Sequence, residues 1–242
     1  MRSVSSPLSG DPYKLEKIGN MKVVRLAVID YDAGNLHSAC KGLEHAGAEV
    51  HLIDHPVGLE NFDAVVLPGD GAFDPAMQQL QERGFVEPIR EVVRRQQPFL
   101  GICIGLQVLF EDSEEGRAAG LGIVPGHVKR FQPEPGLRIP HMGWNQLHLT
   151  QPNSPLWAGI PENTWVYFVH SYHVVPEDPS WVAATVQHGT QIVVAAIARG
   201  SLWATQFHPE KSGSYGLKML QNFVTFVAQR DPLTGLTSVQ RA

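Results

Sequence analysis

Four short strand-like runs in the first hundred residues, each closed by a turn, constrain this chain more than any other feature. Val23-Val24-Arg25-Leu26-Ala27-Val28-Ile29 is almost continuously apolar, as in a strand buried on both faces. It stops at Asp30, and Tyr31-Asp32-Ala33-Gly34 reads as a turn from which Asn35 can cap a helix. In that helix Leu36, Ala39, Cys40 and Leu43 recur at helical spacing, a core-facing stripe that Gly47 ends. Glu49–Ile53 and residues 62–67 repeat the strand signal, the second closed by Pro68-Gly69-Asp70-Gly71. Phe85, Ile89, Val92 and Val93 mark another helix, and residues 98–102 another strand. Strands alternating with helices predict parallel βαβ units with right-handed crossovers.

Beyond residue 120 the rhythm changes. Residues 123–130, 138–150, 165–169, 181–188, 192–198 and 202–207 are strand-like runs separated by turns, predicting a mixed or antiparallel extension of the sheet. Leu217, Leu220, Phe223, Val224 and Val227 mark a closing amphipathic helix. The expected organisation is one domain over residues 22–228, with loose segments at 1–21 and 229–242. Hydrophobic residues at 43 % and charged ones at 18 % argue against wholesale disorder. A net charge of −5 without basic runs makes nucleic acid a poor partner. No apolar run approaches the ~20 residues a membrane span needs, and the first residues lack the apolar core of a secretory signal. Two cysteines, Cys40 and Cys103, exclude a disulfide framework and a four-thiolate metal site, so a soluble cytoplasmic protein is expected. Cys40 lies on the apolar stripe and reads as structural.

Two segments carry chemistry. In the first, Pro98-Phe99-Leu100-Gly101-Ile102-Cys103-Ile104-Gly105-Leu106-Gln107, a buried strand runs through Gly-x-Cys-x-Gly into a short helix. This is the cysteine form of the strand–nucleophile–helix elbow. A nucleophile on so sharp a turn brings the residues two before and two after it together, and side chains there would clash. The elbow also sets Cys103 at a helix N-terminus, which favours negative charge. In the second segment, Ala204-Thr205-Gln206-Phe207-His208-Pro209-Glu210, His208 emerges at a strand end. Extended backbone would place Glu210 on the same side as His208, where a carboxylate can fix the imidazole tautomer. Taken singly, the first could be a buried Cys in a Gly-rich turn and the second a solvated surface turn. Together they compose a nucleophile, a base and an orienting acid, all at strand ends. Oxyanion donors are also needed; the Ile104 N–H is one candidate and the 69–71 turn the other. His170-x-x-His173 has metal-ligand types but no third ligand placed with it.

Gly-Ile-Cys-Ile-Gly-Leu-Gln with Phe-His-Pro-Glu resembles the class I (triad) glutamine amidotransferases. More narrowly, five runs resemble the glutaminase subunits of imidazole glycerol phosphate synthases. They begin at Asp30-Tyr31-Asp32-Ala33-Gly34-Asn35, Pro68-Gly69-Asp70-Gly71, Pro140-His141-Met142-Gly143-Trp144-Asn145, Tyr167-Phe168-Val169-His170-Ser171-Tyr172 and Gln206-Phe207-His208-Pro209-Glu210-Lys211-Ser212. The likeness covers roughly residues 22 to 228. It implies an α/β three-layer fold with a mostly parallel central sheet and an antiparallel extension. It further implies that Cys103 attacks the side-chain amide of glutamine, that His208 shuttles protons, and that Glu210 orients His208. Gln107, Ser171 and Tyr172 match glutamine-holding positions, with Gly69 and Gly71 beside the oxyanion. The implied partner is a (βα)₈-barrel cyclase that receives ammonia in histidine biosynthesis, met by Met142, Trp144, Tyr167 and Lys211. No cofactor and no metal are implied. The alternatives are another class I amidotransferase, a stand-alone γ-glutamyl hydrolase, or a catalytically idle docking subunit. Asp70 departs from the pattern, standing where these subunits usually have Val, and its side chain is expected to point away from the turn.

Overall fold

The computed structural model describes residues 23–230; the expected segment 1–21, and residues 231–242 of the expected segment 229–242, lie outside the described residues. In chain order the elements are β1 (Arg25–Ile29), α1 (Leu36–His45), β2 (Glu49–Ile53), β3 (Ala64–Leu67), α2 (Phe73–Glu82), α3 (Val86–Arg94) and β4 (Phe99–Ile102). There follow α4 (Ile104–Gln107), β5 (Asp112–Ser113), β6 (Gly126–Arg130), β7 (His141–Gln146), β8 (His148–Leu149) and β9 (Trp165–His170). The chain closes with β10 (Tyr172–Pro176), β11 (Val182–His188), β12 (Gln191–Arg199), β13 (Leu202–Thr205) and α5 (Gly213–Ala228).

The central sheet has eight strands in the order β2-β1-β3-β4-β13-β12-β11-β8. Pairing is parallel from β2 through β13 and antiparallel from β13 onward. The period-2 alternation of a strand explains the layers. Leu26 and Val28 of β1 pack with Leu43 of α1 and Leu220 and Phe223 of α5, whereas Ala27 and Ile29 pack with Phe73, Met77 and Leu80 of α2 and Ile89 of α3. Apolar residues on both faces of the sheet thus demand a helical layer on each, and the three-layer expectation holds. Trp203, with Phe223 and Phe226 at ring distances of 5.7 and 4.6 Å, anchors α5.

Four features differ from the sequence reading. The antiparallel extension of the main sheet is only β12, β11 and β8; β10-β6-β5 and the β7–β9 hairpin form two small sheets of their own. Helix α2 and strand β10 escaped the sequence reading, although Phe73, Ala76, Met77 and Leu80 of α2 carry helical spacing. The run 138–150 is broken into β7 and β8, and the strand expected from residue 123 starts at Gly126. Asn35 is not a side-chain cap: it sits at φ 66°, its carbonyl accepts from Ala39 N at 3.2 Å, and its side chain is engaged elsewhere.

Candidate active site

The parallel strands β1, β3, β4 and β13 are neighbours, and the segments leaving their carboxyl ends carry Asn35, the 69–71 turn, Cys103 and His208. Adjacent parallel strands deliver their following loops to one edge of the sheet, so residues far apart in sequence converge there.

Cys103 is buried at the junction of β4 and α4, with φ 56° and ψ −106°. A non-glycine residue held there stores roughly 1–3 kcal/mol of strain, sustained by the surrounding packing. Its N–H donates to Thr205 O at 2.7 Å, and its carbonyl accepts from Leu106 N at 2.9 Å. The elbow glycines are steric necessities. A Cβ on Gly101 would lie 2.6 Å from Gly105 O, and one on Gly105 would lie 1.9 Å from Leu67 O. The residues two before and two after the nucleophile do come together.

His208 and Glu210 have fully buried side chains, and His208 Nδ1 lies 2.8 Å from Glu210 Oε1. The pairing matches expectation but its backbone does not: Pro209–Lys211 is a 3-10 turn that follows an extended His208, not a continued strand. Asn35 Nδ2 donates to Glu210 Oε1 and lies 3.1 Å from His208 Nδ1. This residue, read only as a helix cap, holds the carboxylate against the imidazole from 173 positions away. Burial pushes the His208 pKa down, but hydrogen bonding and charge from Cys103 and Glu210 outweigh it and raise the value to about 9. The Nε2 of His208 closes no hydrogen bond of ordinary geometry among the described residues, so its approach to the Cys103 sulfur is a loose one. Loose resting geometry of this kind is common before substrate tightens a site. Strand β9 is stitched to the same turn. His208 N donates to Tyr167 O at 3.1 Å, Tyr167 N to Ser212 Oγ at 3.0 Å, and Ser212 Oγ to His208 O at 2.6 Å.

A cavity of about 620 Å³ opens over the sulfur, lined by Gly71, Cys103, Ile104, Gln107, Ser171 and Tyr172 among others. Tyr167 and Lys211 stand at its wall as well. That volume suits a small molecule. Gly69 lies beneath the lining, where a Cβ would meet the Tyr31 hydroxyl at 2.1 Å and Ile104 at 2.3 Å. Gly71 has φ +99°, a conformation glycine adopts freely. The Asp70 carboxylate is turned onto the β1–α1 turn, where a Cβ on Gly34 would meet its Oδ1 at 2.2 Å. The amide of Gln107 donates to Tyr172 O at 3.3 Å and to Gln206 Oε1 at 3.1 Å, and Gln206 Nε2 lies 3.7 Å from Cys103 Sγ.

Sequence reasoning missed three residues of this site besides Asn35. Gln206 is fully buried beside the sulfur. Glu115 lines the cavity while its Oε2 accepts from Phe73 N at 2.8 Å. Among the described residues the buried Tyr31 hydroxyl has no hydrogen-bond partner, and burial, then the charges of Cys103 and Asp70, drive its pKa far above the phenol range. The neighbouring residue types carried a signal only for Glu115, a carboxylate in the acidic run after the elbow. Met142 and Trp144 of β7 are exposed, beside Tyr167 and exposed Trp165 of the paired β9. Trp165 extends this apolar face beyond the residues singled out from sequence. Cys40 is buried in the core, with burial the first cause of a raised pKa. Among the described residues, one group of three ligand-type side chains could gather around a metal, Glu111, His127 and Glu177; all are exposed and none lines the cavity. No described helix is long and apolar enough to cross a membrane.

The family model described as glutamine amidotransferase class-I matches residues 27–226. The imidazole glycerol phosphate synthase subunit HisH of Synechococcus sp. (strain JA-3-3Ab) is 79 % identical over 215 residues, covering 89 % of this chain and 100 % of that protein. The subunit of the same name from Acaryochloris marina (strain MBIC 11017) is 63 % identical over 199 residues, covering 82 % of this chain and 93 % of that protein. Among solved structures, PurLQS from Thermotoga maritima superposes with a TM-score of 0.67 at 19 % identity, over 85 % of this chain and 100 % of that one. At that identity the likeness concerns the fold alone. With a matching domain over most of its length and near relatives matched end to end, the chain belongs to the class I glutamine amidotransferases, among the HisH subunits of imidazole glycerol phosphate synthase.

Proposed function

We propose that this chain hydrolyses glutamine to glutamate and ammonia as the glutaminase subunit of imidazole glycerol phosphate synthase, in histidine biosynthesis and in the cytoplasm. The observation that carries the reading is a buried sulfur on a strained elbow, facing an imidazole whose far nitrogen is held by a carboxylate at 2.8 Å. The thiolate of Cys103 attacks the side-chain carbonyl carbon of glutamine. Backbone N–H groups at Ile104 and Gly71 receive the developing oxyanion; Ile104 opens α4, so its N–H has no acceptor within the helix. His208, charged at neutral pH, passes its Nε2 proton to the departing amide nitrogen, which leaves as ammonia. The neutral imidazole then takes a proton from water, which attacks the γ-glutamyl thioester and releases glutamate and the thiol. Glu210 and Asn35 hold the imidazole through both steps. Gln107, Ser171 and Tyr172 grip the amino-acid end of glutamine, with Gly69 supporting the turn. The Glu115 carboxylate suits the α-ammonium group.

The exposed face of Met142, Trp144 and Trp165, with Tyr167 and Lys211 beside it, suits docking of a (βα)₈-barrel cyclase that receives the ammonia. The test is glutamate release from glutamine by the protein alone, with the cyclase, and with the cyclase and its ribonucleotide substrate. Weak activity alone and strong stimulation in the full mixture are expected, with none from Cys103→Ala. Vigorous hydrolysis without a partner would favour a stand-alone enzyme, and turnover by Cys103→Ala would reject the covalent route.

A further inference from the structure

Behind the exposed face of the β7–β9 hairpin lies a group of imidazoles that the glutaminase chemistry leaves unused. His170 Nδ1 is 2.7 Å from Tyr172 O, an acceptor only, so this nitrogen bears the proton and Nε2 is bare. His141 Nδ1 lies 3.1 Å from that bare nitrogen and must bear its own proton. His141 Nε2 is then bare too, and Asn145 Nδ2 donates to it at 3.2 Å. The Asn145 amide is oriented independently, since Nδ2 also donates to Gln187 O and Oδ1 accepts from Gln146 N, both at 2.8 Å. One arrangement of protons satisfies the whole chain. The rings are clamped as well: His141 is stacked between Phe168 at 4.6 Å and His188 at 4.2 Å, and Phe131 packs 5.1 Å from His170. Both rings are neutral at pH 7, because burial pushes His141 down to about 4 and His170 to about 3.

The two ends of this chain matter. Asn145 and His141 alternate along β7 with Met142 and Trp144, which face outward. Tyr172 O accepts from Gln107 as well as from His170, and Gln107 leads through Gln206 to Cys103. We propose that Asn145, His141 and His170 form a positioning relay through which the outer face of the hairpin sets the Gln107 amide and so the pocket around Cys103. The relay deepens the glutaminase reading and rests on it. A displacement of β7 that alters the Asn145–His141 bond changes what Tyr172 O offers to Gln107, because no member has a spare donor.

Asn145→Asp tests this directly, since it replaces a donor by an acceptor. His141 must then present an Nε2–H outward, in one of two forms. The neutral tautomer leaves two bare nitrogens face to face at its other end; an imidazolium keeps its Nδ1 proton and brings a charge into the relay. Long-range proton–nitrogen NMR reads both tautomers. Both rings should be Nδ1–H in the unaltered protein, and His141 should gain an Nε2–H in the variant. Glutamate release alone should stay within about twofold, while stimulation by saturating cyclase and its ribonucleotide falls about tenfold or more. His141→Phe, which keeps the ring stack, should lose stimulation equally while its thermal unfolding stays near that of the parent. An Nε2–H tautomer in either ring of the parent, or full stimulation in both folded variants, overturns the relay. A parent protein that the cyclase does not stimulate overturns the functional reading itself, and the relay with it.

Discussion

His208 and His170 occupy two regions of the molecule that treat the same side chain in opposite ways. Each imidazole is buried, and burial by itself disfavours charge on both. At the elbow, His208 meets a carboxylate on one side and a thiol on the other, and its pKa rises to about 9. Behind the hairpin, His170 meets a carbonyl and another imidazole; burial outweighs the carbonyl's hydrogen bond, the neighbouring imidazoles add to it, and the pKa falls to about 3. The first site makes a proton donor that is charged at neutral pH. The second makes a fixed, neutral hydrogen-bond conduit. The difference teaches that the partner, not the degree of burial, decides what a buried histidine can do here.

Glu210→Gln should break that comparison most severely. It keeps the shape while removing the charge, so the His208 pKa should fall from about 9 in the direction of His170, with Cys103 still holding it up in part. Glutamate release should drop about 10²–10⁴-fold, since the imidazole loses both tautomer control and its stabilised cation. Nitrogen-15 titration of the rings together with steady-state rates checks both parts; a variant His208 still titrating near 9 would place the cause elsewhere.

A smaller effect concerns stability against pH. His208 binds its proton more tightly folded than unfolded, so its contribution is complete below about pH 6.5 and disappears as pH rises through about 9. His141 and His170 bind theirs less tightly when folded. Their contribution is complete above about pH 6.5 and is lost as pH falls toward about 4 and about 3. Denaturant melts across pH should therefore show a basic arm that flattens in Glu210→Gln and an acidic arm that flattens in His170→Phe. Arms that respond to the opposite variants would refute the assignment. The smallest change is expected from Asn35→Ala, which removes a hydrogen bond to a charged group worth about 1.5 kcal/mol, or about tenfold in kcat/KM. An Asn35→Ala enzyme with unaltered kcat/KM would make that residue a spectator.

The elbow was legible in the sequence because its cause is local and steric. Gly101 and Gly105 bracket Cys103 at the one spacing that lets a strand turn sharply into a helix. The layers were legible for a similar reason, as apolar runs such as Leu26 to Ile29 need cover on both faces. The partnership of Asn35 with Glu210 was not, because nothing near Asn35 signals a contact made across the sheet edge. Glu210 was paired with the right residue on the wrong backbone argument, since a 3-10 turn can also bring side chains two apart together. The division of the second half into three sheets was hidden too. Strand alternation tells which side chains share a face, but not which edge a strand joins. The imidazole relay depends on long-range pairing of β7 with β9, and no local pattern announces it.

Whether Cys103 forms a covalent bond to substrate is the most direct question that can be put to the account. The protein with cyclase and its ribonucleotide would be mixed with glutamine, quenched in acid during turnover, and its peptides weighed by mass spectrometry. A γ-glutamyl thioester should appear on Cys103, decay as glutamine is exhausted, and be missing from Cys103→Ser. Steady glutamate production with the Cys103 peptide unmodified throughout, and undiminished in the serine variant, would contradict it.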